Sequence, residues 1–204
     1  MIAAFMYGII LAFGLIMPLG VQNIFIFNQG ARHRHFWQAL PSILTASLCD
    51  TLLIVISVLG VSVAVLHIPW LKLLIFTIGF FFLLYMGWVT WHSQPATLTD
   101  NRGFSPRRQI IFALSVSLLN PHALIDSIGV IGVNALHFHG NARIAYTVAC
   151  VLVSISWFFG IAITGHILHK IDSRGIWFRI INKLSALIIW LVAFYILWQL
   201  LKAL

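Results

Sequence analysis

The acids of this chain are few: Asp50, Asp100, Asp126 and Asp172, with no glutamate. Asp50 and Asp126 fall inside apolar runs. A carboxylate at the centre of a bilayer costs ~2.5 kcal/mol or more unless it is paired or hydrated. Such a residue is a candidate holder of a cation or a proton. Asp50, in Leu48-Cys49-Asp50-Thr51-Leu52, lies about 12 residues into its run, so ~18 Å deep at ~1.5 Å per residue. That is near the midplane of a ~30 Å hydrocarbon core. Ser47 and Ser57 share its helical face, which predicts a polar stripe toward the protein interior. A structural hydrogen bond to a neighbouring helix is the plainer alternative.

Asp126 closes the run Asn120-Pro121-His122-Ala123-Leu124-Ile125-Asp126. His122 and Asp126 are four residues apart and so neighbours on a helix face. An imidazole beside a carboxylate can hold or pass a proton near neutral pH. Pro121 removes a backbone hydrogen bond and disfavours helix at Asn120. The freed carbonyls and the N–H groups that follow can then meet a ligand, as in discontinuous transporter helices. A simple proline kink beside a satisfied histidine is the alternative. Pro18-Leu19-Gly20-Val21-Gln22-Asn23 offers a second break, with Asn28 and Gln29 close behind. There Pro18 kinks, Gly20 admits close backbone approach, and Gln22 and Asn23 supply donors and acceptors. Taken alone, this cluster also fits a hydrogen-bonded seam between helices. Other polar features carry less. His33/His35 and His137/His139 alternate but lack a nearby carboxylate or Cys, and Cys49 and Cys150 sit in apolar runs without metal-ligand spacing. Neither a metal nor a cofactor is expected.

The elements that must position these groups are membrane spans. Of 204 residues, 61% are apolar and 8% charged, with a mean hydropathy of +1.03. Soluble domains are about 45–50% apolar and about 25% charged, so the soluble, disordered and coiled-coil classes are excluded. One membrane helix needs about 20 apolar residues. The sequence supplies six such runs, at 3–27, 38–65, 71–91, 109–136, 144–168 and 182–203. The expected fold is therefore an all-α membrane protein of six transmembrane helices in a single domain over 1–204. A tight hairpin at His67, Pro69 and Trp70 joins the second and third spans. The polar loop 92–108 divides the chain into halves of roughly 1–91 and 109–204. Three spans per half place the halves in opposite orientation, the condition for a 3+3 inverted repeat. Pro18 with Asn23 and Pro121 with Asn120 are a weak echo of that repeat, each in the first span of its half.

The net charge of +8 and pI near 10.2 read as topology signals rather than as a nucleic-acid surface. Arg32, Arg34, Arg102, Arg107, Arg108, Lys170, Arg174, Arg179 and Lys183 fall on one side; Lys72, Arg143 and Lys202 fall on the other. Basic loops stay cytoplasmic, so both termini are expected outside. The first residues lack the basic region of a signal peptide, and the apolar run continues to Phe27, which predicts a span that stays. No nucleophile–base pair, phosphate-binding loop or metal signature appears, which disfavours an enzyme. Small residues in several spans permit a homo-oligomer without requiring one.

The residues just described resemble the lysine/arginine exporter family of bacterial inner-membrane proteins, most closely its arginine exporter branch. The resemblance rests on Pro18-Leu19-Gly20-Val21-Gln22-Asn23 with Asn28-Gln29-Gly30, Cys49-Asp50, Leu119-Asn120-Pro121-His122 with Asp126, and Trp157-Phe158-Phe159-Gly160. It covers essentially the whole chain. It implies a multi-pass protein of the bacterial inner membrane that exports a basic amino acid, driven by the proton-motive force. On that reading Asp50, Asp126, Gln22, Asn23 and Asn120 bind substrate. Asp50, Asp126 and His122 couple the proton, and Pro18, Gly20 and Pro121 break the helices. The His122 to Asp126 continuation distinguishes this chain from the related neutral amino acid exporters. Three other readings stay open: export of a neutral amino acid or other small solute, transport of a divalent cation, and a structural membrane protein without transport.

Overall fold

The computed structural model of the chain describes residues 1–17, 20–33, 35–59, 69–92, 104–120, 123–124, 126–171 and 176–203. Among them every regular element is helical. The elements are α1 (Ile2–Ile16), α2 (Val21–Arg32), a 3-10 turn (Phe36–Ala39) leading into α3 (Leu40–Val58), α4 (Pro69–Trp91) and α5 (Pro106–Leu118). A π-helical segment (Asp126–Gly132) then runs into a short helical turn (Val133–Ala135), followed by α6 (Asn141–Ile171) and α7 (Ile176–Ala203). Among the described residues Phe36–Val58, Asn141–Leu168 and Arg179–Trp198 are each long and apolar enough to cross a bilayer, and the bent pair α1 and α2 has the apolar length of a broken span or a re-entrant loop.

Two expected spans differ in form. The interval 3–27 is not one straight helix: α1 ends at Ile16, α2 begins at Val21, and their axes differ by 80°. The interval 109–136 likewise is not one α-helix, since α5 ends at Leu118 and a π-helical segment begins at Asp126. Each interval contains a proline, which lacks the N–H that a continuous helix requires. Pro18, Pro121 and His122 themselves lie outside the described residues, as do 60–68 and most of the polar loop.

α2 occupies the centre. Every residue from Val21 to Ala31 is buried, although the helix carries Gln22, Asn23, Asn28 and Gln29. One flank packs with α3, α5 and α6 through Phe25, Ile26, Ile43, Ala113 and Phe158. The other packs with α4 and α7 through Val21, Ile24, Leu83 and Ile189. A third cluster joins α1, α3 and α6 through Ala12, Ile54 and Tyr146. The outer faces carry exposed apolar side chains such as Ile10, Leu48 and Leu191, as expected of a surface solvated by lipid.

α2 and α6 cross at backbone contact. A Cβ on Gly30 would collide with the Ala162 carbonyl, and one on Gly165 with the Phe27 carbonyl. Small residues permit this approach, and in lipid van der Waals packing is what holds helices together. Gly30→Ala and Gly165→Ala should each lower the thermal midpoint in detergent, by an amount equivalent to about 1–3 kcal/mol of overpacking. Gly14→Ala, at a position with open space, serves as the control. Equal midpoints for all three variants would show that the crossing yields without cost.

Candidate functional site

α3 carries Asp50 to the centre of the molecule, half-buried, where two helices converge on its carboxylate. Gln22 Nε2, in the first turn of α2, donates to Oδ1 at 3.0 Å. Ser154 Oγ, in the middle of α6, donates to Oδ2 at 2.9 Å. Beside them the chain turns between α1 and α2. Asn23 Nδ2 donates to the Ile16 carbonyl at 2.8 Å and so satisfies one of the last carbonyls of α1, which have no partner within their own helix. Gly20 is the N-cap of α2 in an extended conformation, and no side chain caps that end.

Asp50 borders a cavity of about 140 Å³. Its polar lining is Gln22, Asn23, Asp50, Asn120, Asp126 and Ser127, with Gly20 at the helix break. Leu83 of α4, Phe158 of α6 and Ile189 of α7 are among the apolar residues that complete the wall. The five residues singled out as substrate ligands, Gln22, Asn23, Asp50, Asn120 and Asp126, therefore border one cavity. They come from three separate stretches of chain. A single water needs roughly 10–15 Å³ of such space, so the cavity has room for a small solute. Its chemistry suits a molecule with both signs of charge. The two carboxylates offer charge to cations. The amides and the N-terminal end of α2, where the helix dipole is positive, suit an anionic group.

The sequence reading missed Ser154. A hydroxyl inside Val151-Leu152-Val153-Ser154-Ile155 was a visible signal, but its partner lies 104 residues away, and nothing in the spacing announces the pair. Ser127 also lines the cavity through its place beside Asp126. Ser47 and Ser57 are buried but do not line it, so the expected stripe along α3 is not part of the site. Of the aromatic stretch at 157–160, Phe158 faces the cavity, while Trp157 and Gly160 border a separate apolar groove with Phe13 and Ile24.

A polar clasp closes the arginine-bearing end of α2. Gln109 Nε2 donates to the Gln38 and Phe104 carbonyls, each at 2.9 Å, and lies 3.0 Å from His33 Nε2. The two N–H groups of that amide are matched by the two carbonyls. Burial, and then the adjacent Arg32 charge, hold His33 below the ordinary imidazole range. Arg32 and Arg108 both lie over the Phe104 ring, at 5.7 and 4.4 Å from its centroid.

With this geometry in place, likeness to known proteins narrows the reading. The family described as LysE type translocator matches residues 13–200. A protein of Bacillus subtilis (strain 168) named for amino-acid transport, YisU, is 50% identical over 193 residues, covering 94% of this chain and 88% of that one. The arginine exporter protein ArgO of Yersinia enterocolitica is 32% identical over 202 residues, covering 95% and 96% of the two chains. That of Serratia proteamaculans is 31% identical over 207 residues, covering 98% of each. No solved structure matches the chain significantly.

Proposed function

The chain belongs to the LysE type translocator family, a family of transporters and not of enzymes, and from that premise we propose that it exports a basic amino acid from the cytoplasm, arginine before lysine. The observation that carries the reading is the single cavity bordered by both intramembrane carboxylates, three amides and the N-terminal end of α2. The names of the ArgO relatives supply the direction and the substrate.

Energetics supports a coupled process. Arginine and lysine carry one net positive charge, and moving it out of a negative-inside cell costs about 2.3 kcal/mol per 100 mV. Exchange for one incoming proton cancels the charge moved. In this proposal Asp50 and Asp126 receive the two cationic groups of the substrate and one of them also carries the proton, with His122 as its relay. Gln22, Asn23, Asn120 and the N–H groups at the two helix breaks receive the α-carboxylate. Pro18, Gly20 and Pro121 keep those breaks open to the ligand.

The architecture we propose is six spans in a 3+3 inverted repeat, with the Lys/Arg-rich loops cytoplasmic and both termini outside. Packing supports this reading. α1 lies against α6 as α5 lies against α3, α2 lies against α6 as the Asp126–Gly132 segment lies against α3, and α4 lies against α7. Exchanging the two halves swaps the members of each of the first two pairs and maps the α4–α7 contact onto itself. The halves then rock about the cavity to expose it alternately.

The test is efflux of radiolabelled arginine from preloaded cells that lack their own basic amino acid exporters. Expression of this chain should accelerate efflux, unlabelled lysine should compete, and homoserine should not. Acceleration that vanishes when the proton gradient is collapsed supports the coupling. Unchanged arginine efflux from well-expressed protein would shift the reading to neutral amino acids, with homoserine as the next substrate tried.

A further inference from the structure

Buried polar groups recur outside the cavity, at a level nearer the arginine-bearing end of α2. Asn28 of α2 is 6% exposed and Asn182 of α7 is 1% exposed. Asn28 Oδ1 and both side-chain polar atoms of Asn182 have no hydrogen-bond partner among the described residues. Burying an amide and leaving its bonds unmade is costly, and each such group in a folded protein calls for an explanation. Apolar residues of similar size would seal this level at no such cost.

The helix register places the two amides at a similar level. α2 and α7 are in contact. Val21 and Ile24 pack with Ile189 and Ala193, while Phe27 borders the same groove as Ile181 and Ser185. Rising numbers on α2 therefore match falling numbers on α7, and the helices are antiparallel. Asn28 lies five residues beyond Asn23, and Asn182 six residues before Ile188, where Asn23 and Ile188 both line the cavity. At 1.5 Å per residue each amide stands about 8–9 Å from the cavity, displaced in the same direction. Ser185, also buried, lies one turn from Asn182 toward the cavity.

We propose that Asn28 and Asn182 form a second polar subsite on the substrate path, between the cavity and the end bearing Arg32 and Lys183. The ligand is the zwitterionic head of an α-amino acid. Asn28 Oδ1 accepts from its ammonium, and Asn182 Nδ2 donates to its carboxylate. In this structure both amides are buried, and the subsite engages substrate when the halves open toward that end. The proposal rests on the transport reading above and adds a site to it.

Thiol accessibility tests it in vesicles of both orientations. Asn182→Cys and Asn28→Cys are made with the native Cys49 and Cys150 replaced by Ala, after this background is shown to transport. A membrane-impermeant thiol reagent should label both positions from the side of Arg32 and Lys183 alone, and transported amino acid should slow the labelling. Labelling from the opposite side, or none in a transporting variant, overturns the proposal. The second variant is Asn182→Leu, which is nearly isosteric. It should keep its thermal midpoint yet raise the half-saturating substrate concentration on that side by about tenfold, the loss of one hydrogen bond to a charged group. An unchanged half-saturation overturns the subsite even if the cysteine variants fail to fold. Should the unmodified protein move a neutral amino acid and not arginine, the basic-substrate reading falls. The same labelling, with that amino acid as protectant, then still decides the subsite.

Discussion

Asp50→Asn should abolish efflux of every substrate while leaving the protein folded in the membrane. The substitution preserves shape. Oδ1 still accepts from Gln22 Nε2, and the new amide nitrogen donates to Ser154 Oγ, whose hydroxyl can turn away from it. What disappears is the charge, in a half-buried carboxylate now held by two neutral donors at 3.0 and 2.9 Å. A carboxylate in the hydrocarbon region is costly, so stability should hold or rise. A structural role for Asp50 predicts the reverse, lower stability with transport intact in the surviving molecules. We expect initial efflux to fall at least about a hundredfold, equivalent to roughly 2.7 kcal/mol, with the thermal midpoint no lower than that of the unsubstituted protein. Wild-type efflux from well-expressed Asp50→Asn would remove Asp50 from the substrate and proton path.

Much of this site was legible in the sequence, because rarity is itself a signal. Acids in apolar runs are costly, so Asp50 and Asp126 stood out without any alignment. Proline and glycine beside amides marked the two places where the helices break. What stayed hidden depended on three-dimensional partners. Ser154 meets Asp50 across 104 residues, and a serine in a membrane helix more often bonds its own backbone, as Thr147 and Thr164 do. The contacts of Gly30 with Ala162 and of Gly165 with Phe27 depend on how α2 crosses α6, which composition does not encode. Proline predicts a break but not its size, so the 80° turn between α1 and α2 had no counterpart in the reading of 3–27. The π-helical turn at Asp126–Gly132 was unreadable for a similar reason. After Ser127 the segment Ile128-Gly129-Val130-Ile131-Gly132 is apolar or small on every side, so it has no polar face from which a change of helical period could be read.

That wider turn bears on the second large effect, because it opens at Asp126 and sets where the carboxylate faces. π-turns are uncommon and often occur at functional sites. Asp126 borders the cavity from the second half of the chain and Asp50 from the first. The two should not be interchangeable. Asp50 shares Gln22 with the N-terminal end of α2, the end suited to the α-carboxylate. The α-ammonium sits on the same carbon as that carboxylate, so on the proposed reading it falls to Asp50. The side-chain cation is then left to Asp126. Citrulline separates the two roles, since it keeps the α-groups of arginine and replaces the guanidinium by a neutral urea. Asp126→Asn should lower arginine efflux by more than about tenfold, the scale of one charge-assisted hydrogen bond. Citrulline should be affected far less, so the preference for arginine over citrulline collapses. Asp50→Asn, by contrast, should reduce both substrates together. The measurement is the ratio of initial efflux rates for the two labelled solutes in each variant. A ratio that survives Asp126→Asn but collapses in Asp50→Asn would reverse the assignment. A ratio unchanged in both would place the recognition of the guanidinium outside these two carboxylates.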